Sequence, residues 1–279
     1  MTLAPPPGLF TARTWRLPVA SPARIHNAAL GGTDNYVLDR EALAALEETA
    51  PGFTELLRAT RAWHVRVVRH LAHRGIDQFL DLAAGLPHAH ENTHQIAQRH
   101  NRDATVAYTD TDPLLLSYGR ALLEDNDATH IVSGDHLDPH RLLDNEELWS
   151  VLDLRRPVAV LMTRGVQHEL DDHRLSAALT GYRSLLAPGS ALALSGWIEP
   201  VDDPDLARSV EQVWHIHSGR RLRCRTGSEL RRLFDGYDLL DPGLAPVQSW
   251  WPDGPLLRAP GTALKLGCGG VGVVPPTPG

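Results

Sequence analysis

The stretch Phe79-Leu80-Asp81-Leu82-Ala83-Ala84-Gly85-Leu86-Pro87 decides the fold. It is an apolar run of strand length that contains an acid and passes into a tight turn of small residues. Small residues at such a turn let a ligand lie against backbone at the carboxyl end of a strand, where open α/β sheets bind their ligands. The next apolar run ends in Tyr108-Thr109-Asp110-Thr111-Asp112-Pro113. A carboxylate at Asp110 stands where it can accept hydrogen bonds from ribose hydroxyls.

Working outward, apolar runs at 78–82, 105–109, 130–133, 157–163 and 191–195 alternate with helical stretches, which argues for a parallel sheet of βαβ units. Two more runs, 237–240 and 262–266, are separated by a loop too short for a helical crossover and are expected to be antiparallel neighbours at the end of the sheet. Before the first strand, Leu56, Leu57, Trp63, Val67, Val68 and Leu71 recur at helical spacing, predicting an amphipathic helix over 54–73. Asp112-Pro113 and Asp203-Pro204 read as helix caps followed by proline at the first helical position, and Thr226 to Glu229 as a capping box. The organisation that follows is a tail (1–20), one domain (21–274) with a helical cover (21–76) on an α/β core (77–274), and a second tail (275–279), the ends being proline-rich.

Composition excludes several classes. The 279 residues carry 27 Lys+Arg against 34 Asp+Glu, a net charge of −7, which argues against a general grip on nucleic acid or an anionic membrane. No apolar run reaches the length of a membrane span, and the first residues have no leader-like character, so a cytoplasmic chain is expected. Cys224 and Cys268, the only two cysteines, have no paired spacing, which excludes a disulfide scaffold and a thiolate zinc site. Lys265 is the only lysine, and heavy use of Ala, Arg, Leu and Pro points to a high-GC bacterial source.

The turn after the first strand also selects among cofactors. A dinucleotide needs a three-glycine cradle for its pyrophosphate, whereas this turn has one glycine and a proline where the third would lie, so NAD is disfavoured. S-adenosylmethionine has a ribose and an adenine but no phosphate, and asks less of the turn.

The sequence resembles the actinobacterial S-adenosyl methyltransferase family over about residues 21–271. The matching segments are Ser21-Pro22-Ala23-Arg24, Leu30-Gly31-Gly32-Thr33-Asp34-Asn35-Tyr36, Arg61-Ala62, Phe79-Leu80-Asp81, Gly85-Leu86-Pro87, the Tyr108–Pro113 stretch, Phe234-Asp235-Gly236 and Pro242-Gly243-Leu244-Ala245-Pro246-Val247. The resemblance implies a Rossmann-like, seven-stranded methyltransferase sheet, parallel with one antiparallel strand, under a helical N-terminal cover. It implies Asp81, Ala83 and Gly85 at the methionine end of the cofactor, Asp110 and Thr111 at the ribose, and Asp135 at the adenine. Gly32, in its glycine turn, would close over cofactor or substrate, and Arg61 would partner a carboxylate of the cofactor. The chain departs from the family where Gly-Ser-Gly becomes Ala83-Ala84-Gly85 and where Tyr-Asp becomes His26-Asn27. An alanine at positive φ costs roughly 1–2 kcal/mol, so either Ala83 keeps negative φ or cofactor binding is weakened.

Methyl transfer needs an aligned nucleophile, a dry site and, for a protonated nucleophile, a base. His168, in Arg164-Gly165-Val166-Gln167-His168-Glu169 after the fourth strand, is the candidate base. Tyr36, Trp63, His88 and His90 are candidates for the acceptor pocket, with Trp250-Trp251 as another wall. His88, His90 and His94 have a spacing that could hold a metal, but a loop facing solvent or substrate is preferred and no metal is expected. The run Arg220, Arg221, Arg223, Arg225 reads as a solvated face. The expectation is a methyltransferase acting on a small molecule in bacterial secondary metabolism, compatible with a homodimer. The alternatives are a cofactor-binding enzyme of cyclisation or elimination and a catalytically silent binding protein.

Overall fold

Alternation of side chains along the strands builds a core on both faces of one sheet. Leu80, Leu82, Val160, Met162, Leu192 and Leu194 face one side, whereas Phe79, Ala159, Leu161, Ala191 and Ala193 face the other. The computed structural model describes residues 19–255 and 261–276, so the two expected tails fall almost wholly outside the described residues. The strands are β1 (Gln78–Leu82), β2 (Thr105–Asp110), β3 (Thr129–Ser133), β4 (Ala159–Met162), β5 (Ala191–Trp197), β6 (Asp238–Leu239), β7 (Ala245–Pro246) and β8 (Gly267–Val273). They stand in the order β3-β2-β1-β4-β5-β8-β6, with β7 beside β8. β1 to β5 pair in parallel, and β8 is antiparallel to β5, β6 and β7, so β8 alone runs against the rest.

Two expectations are corrected. Residues 262–266 form a 3₁₀ turn, and the strand follows it as β8; Gly267, Gly269, Gly270 and Gly272 hide it, because glycine is a poor strand former. Those glycines serve close packing: a Cβ on Gly269 would come 2.8 Å from Trp63, and one on Gly272 2.7 Å from Tyr237. The sheet also has eight strands where seven were expected, the extra one being the two-residue β7.

The helices are α1 (Pro22–Ala29), α2 (Val37–Thr49), α3 (Phe53–His73), α4 (Thr93–Gln98), α5 (Pro113–Leu122), α6 (Pro139–Leu143), α7 (Glu146–Trp149), α8 (Asp172–Leu185), α9 (Pro204–Ser218) and α10 (Gly227–Arg232). All six apolar residues used to predict α3 are buried. Asp112 accepts from the Leu114 amide, Asp203 from the Leu206 amide, and Thr226 with Glu229 closes a capping box, as their sequence contexts predict. A third cluster joins the cover to the core: Ile25, Ala29, Ala42, Leu46 and Phe53 pack with Trp197 and with Val210 and Trp214 of α9. The cover therefore roofs the carboxyl ends of the central strands. Among the described residues no helix is long and apolar enough to cross a membrane.

Candidate active site

The strand order reverses between β1 and β4, and ligands of open α/β sheets bind at the carboxyl edge beside such a switch point. A cavity of about 360 Å³ opens there. Its floor and walls are Ala83 and Gly85 after β1, Asp110 to Asp112 after β2, His136 after β3, Thr163 to Gly165 and Gln167 to Glu169 after β4, and Ser195 to Trp197 on β5. α1 supplies His26 and Asn27 as a roof, and Trp214 and Arg220 close the far side.

The turn after β1 takes the strained form. Ala83 has φ +50° and Gly85 φ +69°, so the alanine sits in the left-handed region that its Cβ disfavours. The Ala84 amide donates to the Thr109 carbonyl (3.1 Å) and the Gly85 amide to Asp110 Oδ2 (3.4 Å), tying the turn to β2. Asp110 Oδ1 accepts from the amides of Thr111 (2.8 Å) and Asp112 (2.9 Å). Its carboxylate is thus held in place at the cavity wall, with Oδ2 only loosely engaged.

Asp81 lies deeper, 2% exposed, in a niche of about 10 Å³ that Arg61, Arg164 and His88 also line. Oδ2 accepts from the Thr93 hydroxyl (2.7 Å), Oδ1 is buried without a partner, and burial pushes the carboxyl up. Arg61 donates to the Glu91 carbonyl; burial and the repulsion of Arg164 lower it to about 10. Arg164 donates to the Ala84 carbonyl and, at 3.1 Å, to His88 Nε2. Among the described residues neither guanidinium makes a contact ion pair with a carboxylate, although both act on Asp81 across the shared niche, which leaves them with donors for an anionic group.

His168 lines the cavity with its ring 5.2 Å from that of Trp214, and its Nδ1 is buried without a partner. Burial first, then Arg220, lowers it to about 4. His26 has neither ring nitrogen partnered, and burial, Arg164 and Arg61 lower it to about 3.

Several expected site residues lie elsewhere. Asp135 is tied to Arg174 (2.7 Å) and to the Leu137 amide (2.9 Å), leaving its neighbour His136 on the cavity. Gly32 is one layer back: its amide donates to the Asn27 carbonyl, and a Cβ there would come 2.3 Å from the Asn27 amide nitrogen. The glycine turn therefore positions Asn27, with Asn35 donating to Asn27 Oδ1 (2.9 Å). Tyr36 is 67% exposed under the Arg24 guanidinium. Trp63 is wholly buried edge-on against Trp250, where aromatic area is best used, and Trp251 stacks on Trp250 and His70. His88 faces the cavity, His90 is exposed, and His94 is held by the Tyr108 hydroxyl (2.9 Å), so the three do not converge. No group of three or more His, Cys, Asp or Glu among the described residues could hold a metal.

The arginine run is not a solvated face throughout. Arg225 is 1% exposed and donates to Asp172 (2.8 Å) and to the carbonyls of Val166 (2.6 Å) and Glu169 (2.5 Å), clamping both sides of His168. Arg223 pairs with Asp172 and Glu229, and Arg220 reaches the cavity. Thr163, Arg164, Trp197, Trp214, His26, Asn27 and His136 were missed as site residues. Thr163, Arg164 and Trp197 share one legible signal, their place at the end of β4 or β5; nothing local marks the others.

The sheet order with one reversed strand, the switch-point cavity and an acid, Asp110, on its wall after β2 fit a Rossmann-like enzyme of the methyltransferase type. The S-adenosyl methyltransferase family matches residues 11–275, and the chain belongs to it. It is similar to a protein from Thermobifida fusca named as a candidate methyltransferase, with 33% identity and a TM-score of 0.82 over 93% of this chain and 98% of that one. It is similar also to a DUF574-family protein from Streptomyces avermitilis, with 34% identity and a TM-score of 0.84 over 92% of this chain and 98% of that one. Among curated proteins none matches the chain. The protein is an S-adenosylmethionine-dependent methyltransferase.

The residues fit this cofactor. A loosely engaged carboxylate oxygen at Asp110 suits ribose hydroxyls, and two guanidiniums without carboxylate partners suit the methionine carboxylate.

Proposed function

We propose that the protein methylates a small-molecule acceptor held between the turn after β4 and the Trp197–Trp214 wall. The observation that carries this reading is the cavity of about 360 Å³ reaching from Asp110 to Trp214, within the roughly 300–1,000 Å³ of ligand pockets, which cofactor and acceptor would share. Asp110 would hold the ribose, Arg61 and Arg164 the carboxylate, and α1 would exclude water. S-adenosylmethionine supplies an electrophilic sulfonium methyl when bound. At neutral pH His168 is unprotonated and can accept a hydrogen bond from the acceptor, orienting it against Trp214, but it holds a captured proton weakly. Actinobacterial origin of both relatives supports a bacterial setting, and the family resemblance supports a place in secondary metabolism.

The test is product analysis with methyl-labelled S-adenosylmethionine across phenol, amine and carbon-acid acceptors. The reading expects S-adenosylhomocysteine and one added methyl in equal amounts. Release of 5′-methylthioadenosine, or conversion of an acceptor with the cofactor intact, would replace methyl transfer by elimination or cyclisation.

A further inference from the structure

Thr163, at the carboxyl end of β4, lines the cavity, and its Oγ1 lies 3.0 Å from His64 Nδ1 on α3. His64 Nε2 lies 2.9 Å from Thr93 Oγ1, and Thr93 Oγ1 donates to Asp81 Oδ2 at 2.7 Å. All four side chains are at most 2% exposed, so the row is sealed from solvent along its length. The Ser195 hydroxyl donates to the Thr163 carbonyl (2.7 Å) and fixes the cavity end of the row.

The proton positions follow from counting donors. A threonine hydroxyl has one proton, and Thr93 gives its proton to Asp81, so toward His64 it accepts. His64 Nε2 therefore carries the ring proton. Burial, together with Arg61, Arg164, His88 and His26 nearby, keeps the ring neutral, so Nδ1 is bare and accepts from the Thr163 hydroxyl. Every hydrogen bond in the row thus points from the cavity toward Asp81. Such chains polarise one another in a low-dielectric interior.

We propose that Thr163, His64, Thr93 and Asp81 form a relay that carries the proton released by the methyl acceptor out of the cavity. This rests on the methyl-transfer reading. The acceptor's proton passes to Thr163 Oγ1 as the Thr163 hydroxyl proton moves to His64 Nδ1. The Nε2 proton moves to Thr93 Oγ1, and that of Thr93 to Asp81 Oδ2. The freed electron pair of the acceptor bonds the methyl carbon as its bond to sulfur breaks, so the sulfonium charge is lost and Asp81 ends neutral with one proton gained. His64 ends as the Nδ1–H tautomer without ever becoming cationic, which suits a buried ring whose charged form Arg61 and Arg164 disfavour. Burial also makes Asp81 a better proton acceptor than a solvated carboxylate.

The test is the long-range ¹⁵N–¹H spectrum of the full-length protein labelled at histidine, saturated with S-adenosylhomocysteine, between pH 6 and 8. His64 is assigned by its absence in His64→Gln or, should that variant not fold, by the shift of its Nδ1 signal in Thr163→Ser. The expected result is a neutral His64 with the proton on Nε2, a tautomer population that moves toward Nδ1–H in Asp81→Asn, and a methyl-transfer rate in Thr163→Val that falls on the order of a hundredfold while S-adenosylhomocysteine affinity holds within about twofold, a split that a merely structural row would not show. An imidazolium, an Nδ1–H ring in the wild-type protein, or a tautomer indifferent to Asp81→Asn would overturn the relay. Calorimetry on the same samples separates the two ideas: failure of S-adenosylhomocysteine to bind tells against methyl transfer, while the ring proton still reports the direction of the row.

Discussion

Replacing Ala83 by glycine should stabilise the protein, although it deletes a methyl group. Ala83 has φ +50°, where an L-residue with a Cβ carries a strain of roughly 1–2 kcal/mol. Against this, glycine frees the unfolded chain and costs about 0.4–1 kcal/mol. The difference centres near 0.8 kcal/mol in favour of Ala83→Gly, or roughly 2–3 °C in Tm for a chain of this size. Urea denaturation followed by the shift of the midpoint, with the slope held common, reads this directly. Ala84 is the internal control: it is 8% exposed and has no positive φ, so Ala84→Gly should destabilise by about 0.5–1 kcal/mol. Against the expectation that a positive-φ alanine weakens cofactor binding, the strain is present in free and bound protein alike and the Ala84–Thr109 and Gly85–Asp110 bonds hold the turn in either protein, so the affinity for S-adenosylhomocysteine should change less than about twofold, within roughly 0.4 kcal/mol. If Ala83→Gly destabilises as much as Ala84→Gly, the strain argument is refuted.

Three further predictions concern the surroundings of the cavity. Arg225→Met should cost about 3 kcal/mol, the lower end for breaking a buried ion pair, because Asp172 keeps Arg223 while two buried carbonyls lose their donor. Arg225→Lys should recover less than half of this in the same denaturation assay, since an ammonium does not span the three acceptors. His26 and His168 bind protons more weakly folded (about 3 and about 4) than unfolded, so the unfolded state gains protons first and stability falls as pH falls from 6.5 toward 4. Each ring contributes about 1.4 kcal/mol per pH unit in that window, and His26→Asn should lower the measured slope by about one such increment, a flat profile contradicting the burial argument. Arg164→Met should weaken S-adenosylhomocysteine roughly tenfold by calorimetry, as for a lost charge-assisted bond, and leave 5′-methylthioadenosine, which lacks the carboxylate, unaffected. Equal weakening of both would remove the carboxylate role.

The meeting of the turn after β1 with Asp110 was legible because local signals fix it. A strand, a small-residue turn and an acid after the next strand are adjacent in sequence, and the hydrogen bonds of Gly85 and Asp110 bring them together as that order implies. Helix caps at Asp112, Asp203 and Thr226 were readable for the same reason. The acceptor end was not. Trp214 and Trp197 meet only because α9 packs under the N-terminal cover, and nothing near Trp214 distinguishes it from a core residue such as Trp63. Arg225 read as solvated because its partners, Val166, Glu169 and Asp172, lie more than fifty positions away. The row from Thr163 to Asp81 escaped for that reason too, since its four residues come from four separate segments. β8 was displaced to 262–266 because its glycines serve packing against Trp63 and Tyr237, which no strand propensity reflects.

The central claim, that Asp110 anchors the ribose of S-adenosylmethionine at the switch point, is most directly tested by calorimetric titration with S-adenosylmethionine and S-adenosylhomocysteine of the wild-type protein and Asp110→Ala. Loss of one or two hydrogen bonds to a charged acceptor, about 1.5–3 kcal/mol each, predicts an affinity at least roughly tenfold lower for both ligands in Asp110→Ala. Binding of both ligands to Asp110→Ala as tightly as to the wild type, or binding of neither to the wild type, would contradict the account.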